Sequence, residues 1–295
     1  MRAPTGVRRL VSPGKQEKFP VLSFSWWFLE SPLLGSSGRE SILATLERLL
    51  PEALPKRYGL HEPPQHKYPE TGKQHLLQFM EEIVHDMMVW CPHRPVVSFH
   101  LGQPKPGGAS KMGFRTNRVE IEVESSALSQ PGWADNLRLF WRQISTMLKP
   151  IYGEVRTLGG RERRGATVLI ARGSELGKDS AQLNLSWWWR GGPKKLGCAV
   201  VLGQEYQKLW PAFVAKAAIE SGLAFASVDD WTSTADLSEK IGRPGSSIAL
   251  CGASAYGGDQ DYPETWPLGS LLTRRGRRCV DHLWKRSVDC STPSL

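Results

Sequence analysis

Six of the seven histidines, His61, His66, His75, His85, His93 and His100, fall within forty residues of one another. Neutral imidazole is both a common zinc ligand and a general base, so this crowding raises metal and acid–base chemistry together. The metal reading fails on spacing. His61 and His66 are five apart with Pro63 and Pro64 between them, whereas a zinc-protease helix needs its two histidines four apart on one face. His75 and His85 fall on one predicted helix but are turned about 80° from each other. Cys279 and His282 lack a second pair. No metal and no cofactor is therefore expected. Acid–base chemistry has a better local basis, since Tyr58, His61, Glu62 and His66 put a phenol, two imidazoles and a carboxylate in one short loop. His93-Arg94 adds a further base and an anion contact.

Other catalytic signatures are missing. The chain has no G-x-S-x-G elbow and no phosphate loop of the G-x-G-x-x-G or G-x-x-x-x-G-K-[ST] type. Gly191-Gly192-Pro193 reads as a tight reversal. The loudest feature is aromatic: of twelve tryptophans, six lie at Trp26-Trp27, Trp187-Trp188-Trp189 and Trp266. Neighbours on a strand face opposite ways, so at least one ring of Trp187, Trp188 and Trp189 points away from the face that buries the others. A tryptophan beside Arg190 has the composition of a binding hot spot. Trp187, Trp188, Trp189, Arg190 and Tyr206 are the candidate partner-binding residues.

The elements that must position these groups follow from periodicity. A strand is predicted at Val21–Leu29, then a helix through Ile42, Leu43, Leu46, Leu49 and Leu50 that stops at Pro51. Residues 56–69 hold three prolines and no period, so a loop or extended crossing is expected. A second helix opens at Thr71, with Gln74 in capping-box position. Strands are predicted at 96–101 and 118–124. In the second of these Val119, Ile121 and Val123 alternate with Glu120, Glu122 and Glu124, which predicts one buried face and one solvated face. A third helix spans 133–148. Beyond Gly159-Gly160, strands are predicted at 166–171, 182–189, 197–202, 223–228 and 247–251, with a helix over 204–221 stopped by Gly222. The expected fold class is α/β (α+β), mostly antiparallel sheets covered by helices. Phe24-Ser-Trp-Trp-Phe and Leu185-Ser-Trp-Trp-Trp echo each other, which admits two related halves packed as one body.

Length and charge bound the rest. The 295 residues suffice for one large domain or two modest ones. Net charge is +9, but residues 1–18 carry five basic groups and one acid (+4), and residues 271–295 carry six and two (+4), leaving +1 for residues 19–270. The expected division is a basic N-terminal tail over 1–18, a first half over 19–158, a second half over 159–273 and a basic C-terminal tail over 274–295. A nucleic-acid-binding body would spread its cations over a face, so nucleic acid is not the expected partner. No apolar run reaches the roughly 18 residues of a membrane span, and residues 1–20 lack the apolar centre of a secretory signal. Five scattered cysteines, an odd number, indicate free thiols in a reducing, cytoplasmic setting.

Two blocks carry a family resemblance. Pro55-Lys56-Arg57-Tyr58-Gly59 followed by Glu62-Pro63 comes straight after the first helix, and Trp189-Arg190-Gly191-Gly192-Pro193 precedes Val201-Leu202-Gly203-Gln204-Glu205-Tyr206. In this order they resemble the immunity protein 52 family, found beside bacterial polymorphic and type VI secreted toxins. The resemblance implies a cytoplasmic α/β protein that neutralises a cognate toxin without catalysis. The expected function is non-enzymatic recognition of a protein partner through an aromatic and arginine-bearing surface. The alternative is an accessory enzyme of a small-molecule pathway acting on an apolar or aromatic substrate, with Tyr58, His61, Glu62 and His66 as its lining.

Overall fold

The computed structural model describes residues 17–28, 36–61, 63–82, 88–102, 117–150, 152–164, 167–170, 196–204 and 210–231, together with 207, 237 and 241. In chain order the elements are β1 (Glu17–Phe28), α1 (Ser36–Leu49), β2 (Arg57–Gly59), β3 (His66–Lys67), α2 (Tyr68–Glu82), β4 (Val89–Cys91), β5 (Val96–Gly102) and β6 (Asn117–Glu124). Then follow α3 (Trp133–Leu148), β7 (Tyr152–Arg164), β8 (Thr167–Ile170), β9 (Ala199–Leu202), α4 (Pro211–Val214), β10 (Ala218–Glu220) and β11 (Leu223–Ser227). Every strand pairing among the described residues is antiparallel. A large sheet runs β10-β11-β9-β7-β1-β6-β5, with β8 also on β7, and a three-stranded sheet runs β3-β2-β4. The α+β class with antiparallel sheets is thus the observed fold.

β1 is central, with β6 on one side and β7 on the other. It opens four residues before the predicted start, because the ladder continues through Pro20, which lacks an amide hydrogen and sits at a register shift between Phe19 and Pro20. Alternation sends Leu22, Phe24 and Trp26 to the main core, where α1 and α3 contribute Ile42, Leu43, Leu46, Leu137, Phe140, Trp141 and Ile144. The helix α3 matches the spacing of its apolar residues: Leu137, Phe140, Trp141, Ile144 and Leu148 are buried, with Ser145 among them and Trp133 half-buried. Trp26 locks sheet to helix: its ring lies 4.9 Å from that of Trp141, and its indole N–H donates to Ser145 Oγ at 2.8 Å. Opposite Trp26 stands Gly153. A Cβ there would come 2.8 Å from Val201 Cγ1 and 2.9 Å from Trp141 Cη2.

The second face of the sheet overturns one expectation. Glu120, Glu122 and Glu124 do alternate with the core valines and isoleucine, but they are buried, not solvated. A buried carboxylate must be paired, and these are. Ser23 and Ser25 donate to Glu120 Oε1, each at 3.3 Å. Glu122 accepts from Ser98 Oγ at 3.0 Å and from Arg161 Nε at 2.7 Å. Glu124 is held by Arg94 and Arg163. Beside them Glu154 accepts from the Tyr152 hydroxyl at 2.9 Å and pairs with Arg156 at 2.6 Å. β6 and β7 flank β1, so the arginines of β7 reach over it to the acids of β6.

Three further expectations change. Residues 56–69 are not a loop throughout, since Arg57–Gly59 and His66–Lys67 pair as two short strands. β7 occupies a stretch in which no strand was predicted. The helix predicted over 204–221 is not formed over its C-terminal part: Pro211–Val214 is a single turn, and Ala218–Glu220 is strand β10. Gly222 does not stop a helix. With Ser221 (φ 52°) and its own φ of 81°, it forms the two-residue turn between β10 and β11, which needs two left-handed residues. The predicted strands 182–189 and 247–251, and with them the tryptophan echo, lie outside the described residues. Among the described residues no helix is long and apolar enough to cross a membrane.

Two outcomes follow for stability. Gly153→Ala should lose about 1–3 kcal/mol to overpacking against Trp141 and Val201, read as a lower urea midpoint. Glu122→Ala strands the largely buried Arg161 guanidinium and should lose about 3–5 kcal/mol, while Glu122→Gln, which keeps acceptor and shape, should lose clearly less by the same measurement.

Candidate functional site

The small sheet and α2 bring part of the predicted acid–base set together. Tyr58 and Trp90 are registered partners on adjacent strands, as are Tyr58 and His66, so all three side chains share the inner face. On α2, Thr71, His75 and Phe79 recur four apart and line one side of the helix. The chain enters that helix through Gly72, whose φ of 75° breaks the turn begun at Tyr68. The Tyr58 hydroxyl sits 2.6 Å from His75 Nδ1 and 2.9 Å from Thr71 Oγ1. The His66 ring lies 5.2 Å from that of Tyr58, 4.9 Å from that of His75 and 5.0 Å from that of Phe79. The result is a phenol, two imidazoles and a hydroxyl walled by an aromatic ring.

Proton accounting limits what this cluster does. Thr71 Oγ1 donates to the Lys67 carbonyl at 3.1 Å, so its one proton is already placed in a hydrogen bond. The phenol then donates to His75 Nδ1, or to Thr71 while His75 donates to the phenol. Either way the Tyr58 oxygen has two partners. Burial pushes its pKa above the ordinary 10.0, opposed by the hydrogen bond with Thr71. A fully buried phenol with a raised pKa keeps its proton near neutrality and makes a poor base or nucleophile. The pKa of Tyr68 is likewise raised, by burial and then by the Glu47 and Tyr58 charges.

The remaining predicted residues separate. His61 is exposed, and Glu62 lies outside the described residues. The Arg94 guanidinium is committed to Glu124, at 2.9 Å from Nη2 to Oε2. His93 is exposed, and its pKa is lowered, first by desolvation and then by the nearby Lys56 charge. Trp187, Trp188, Trp189, Arg190 and Tyr206 all lie outside the described residues. Thr71 and His75 are members of the cluster that the acid–base reading of the loop missed; the four-residue spacing of Thr71, His75 and Phe79 was the signal. Cys198 is buried, its thiol pushed up to about 12 chiefly by desolvation, which leaves it an inert core residue. Among the described residues no three His, Cys, Asp or Glu side chains converge to hold a metal ion.

Two surfaces remain. The outer face of the small sheet carries Lys67 and Arg57 in direct register. At the far edge of the large sheet β10 is exposed along its length, with Ile219 57% accessible. Arg142 of α3 reaches that edge, pairing with Glu220 at 3.1 Å.

No family model matches the chain, and no curated protein matches it. Among solved structures it is similar to a Pseudomonas aeruginosa protein described as T6SS protein PA0821, at 14% identity over 94% of this chain and 87% of that one, with a TM-score of 0.45. A likeness this loose carries no argument about function.

Tyr58→Phe removes the shared partner of Thr71 and His75 and should lower unfolding free energy by about 1–2 kcal/mol. Because folding raises the Tyr58 pKa, stability is full below pH 10 and falls as pH rises above it, where the unfolded chain releases the phenolic proton first. Tyr58→Phe should flatten that alkaline fall in denaturant titrations run at stepped pH.

Proposed function

We propose that the chain is a non-enzymatic binding protein that recognises a protein partner, in the manner of a toxin-neutralising immunity protein. The observation that carries this reading is the state of its best acid–base constellation. The Tyr58 hydroxyl is buried, protonated and shared between Thr71 and His75, so the groups best suited to catalysis serve the fold. The resemblance of the Pro55–Gly59 and Trp189–Tyr206 blocks to the immunity protein 52 family supports the finer statement. Trp187, Trp188, Trp189, Arg190 and Tyr206 are proposed as the docking residues, on the ground that tryptophan, tyrosine and arginine dominate interface energies. A cytoplasmic setting with free thiols belongs to the same proposal.

The enzymatic alternative has one observation in its favour, the meeting of Tyr58, His66 and His75. It requires these groups to reach a substrate, and it predicts activity on an aromatic or apolar molecule that His66→Ala and His75→Ala abolish.

The binding reading is checked by size-exclusion chromatography of the chain with the product of its neighbouring gene. A stable complex is expected at micromolar protein, weakened by about 2 kcal/mol or more in Trp189→Ala and Arg190→Ala. A clean monomer, with no complex, overturns it.

A further inference from the structure

The outer face of the small sheet has an unusual charge arrangement. Alternation puts Tyr58, His66 and Trp90 inward, so the row Lys67–Arg57–Cys91 faces the other way. Lys67 and Arg57 are direct cross-strand partners. Like charges in that register repel and destabilise the pairing. Lys67 is relieved by Glu70 at 2.7 Å, three residues on. Arg57 is exposed and forms no ion pair among the described residues. Lys56 is exposed as well, and its charge is felt at His93, which is also exposed. The next row of the same face is flat: Gly59 has no side chain, and the Gln65 side chain lies over it, its Oε1 2.0 Å from where a Cβ would stand.

Among the described residues Arg57 stands without an ion pair opposite Lys67, and Glu70 relieves only the lysine's share of the repulsion. An anionic occupant would convert this repulsion into attraction. We infer that this face, through Arg57 and Lys67 with Lys56 and His93 at its rim, docks a carboxylate-rich segment of a protein partner. The inference rests on the binding reading above and names the chemistry of the partner. Protein is favoured over nucleic acid because Glu70 and Glu52 stand among these cations. A polyphosphate draws its affinity from many cations in an uninterrupted field. A peptide carboxylate pairs with a guanidinium two bonds at a time, at a single arginine.

The test uses the full chain and a fluorescently labelled Glu-rich peptide as probe, followed by anisotropy. Binding is expected, weakening as salt is raised and falling at least about tenfold in Arg57→Glu. Arg48→Glu, the same charge change at an exposed position of α1, should leave it within about twofold. Arg57→Glu also sets opposite charges in register with Lys67, so its Tm should be maintained or raised, which separates lost binding from lost fold. Equal loss in Arg57→Glu and Arg48→Glu overturns the inference, because net charge alone would then explain the binding. So does a single-stranded DNA oligonucleotide that binds more tightly than the peptide and loses as much in Arg57→Glu. No binding of the peptide also overturns it. A complex with the neighbouring gene product that survives Arg57→Glu but is lost in Trp189→Ala sinks this site while sparing the binding reading. Absence of any complex, with the peptide still bound, sinks that reading instead.

Discussion

The packing of Trp26 on Trp141 across Gly153 is the constraint on which the large sheet depends. β1 cannot be withdrawn from this contact, because it is the strand that β6 and β7 share. The indole is fixed at its face by Trp141 and at its nitrogen by Ser145, both on α3. Helix and sheet are therefore set at one height and one rotation. Phe24 extends the same aromatic run to Phe140 and Trp231, with centroids 6.5 and 5.9 Å away. Only a glycine on β7 leaves room for the two indoles and Val201 to meet. Register on β7 is thereby fixed, since a slip of one residue would bring a side chain into that space and turn every β7 residue over.

That register also decides the chemistry of the opposite face. With Trp26 and Val155 held inward, Glu154 and Arg156 must face the other way, beside Ser25 and Ser23. The same alternation on β6 delivers Glu120, Glu122 and Glu124. Burying carboxylates is favourable only when their hydrogen-bonding capacity is met, and serines and arginines from neighbouring strands meet it here. Such a lattice adds little net stability over an apolar face, but it penalises any pairing that separates an acid from its arginine. The apolar contact sets where β7 lies, and the charged contact penalises departures from it.

The sequence was most legible where one rule acted alone. The apolar spacing of α3 and the proline stop of α1 are local, and both elements stand where periodicity put them. β6 shows what alternation leaves out. It reveals that a strand has two faces, but not that the charged face will be covered, because the covering arginines are some forty residues away on β7. Short strands fared worst. Arg57–Gly59 and Val89–Cys91 have three residues each, too few for a period, and become strands only by pairing with each other. Ser221-Gly222 was read as the end of a helix because glycine serves both as helix stop and as turn residue; only the paired positive φ values, a property of the hairpin, separate the two. Within the candidate site, Tyr58 and His66 were legible as neighbours in a loop. The role of His75 was not, since it requires knowing that α2 packs across that loop.

The small sheet then separates two kinds of polar group that look alike in sequence. Tyr58 and Arg57 are adjacent residues, and alternation alone gives them opposite fates. The phenol turns inward, loses water and is compensated by Thr71 and His75. The guanidinium turns outward, keeps water and meets a lysine. A residue such as Tyr58, with two hydrogen bonds and no exposure, explains itself through the fold. Arg57 does not, because the strand pairing would be stronger with an acid, or with almost any neutral side chain, in its place. On the docking inference, Glu70 offsets Lys67 within the chain, and the interaction that offsets Arg57 comes from outside it. The sign of that partner follows from the sign of the repulsion: two cations in register select for negative charge.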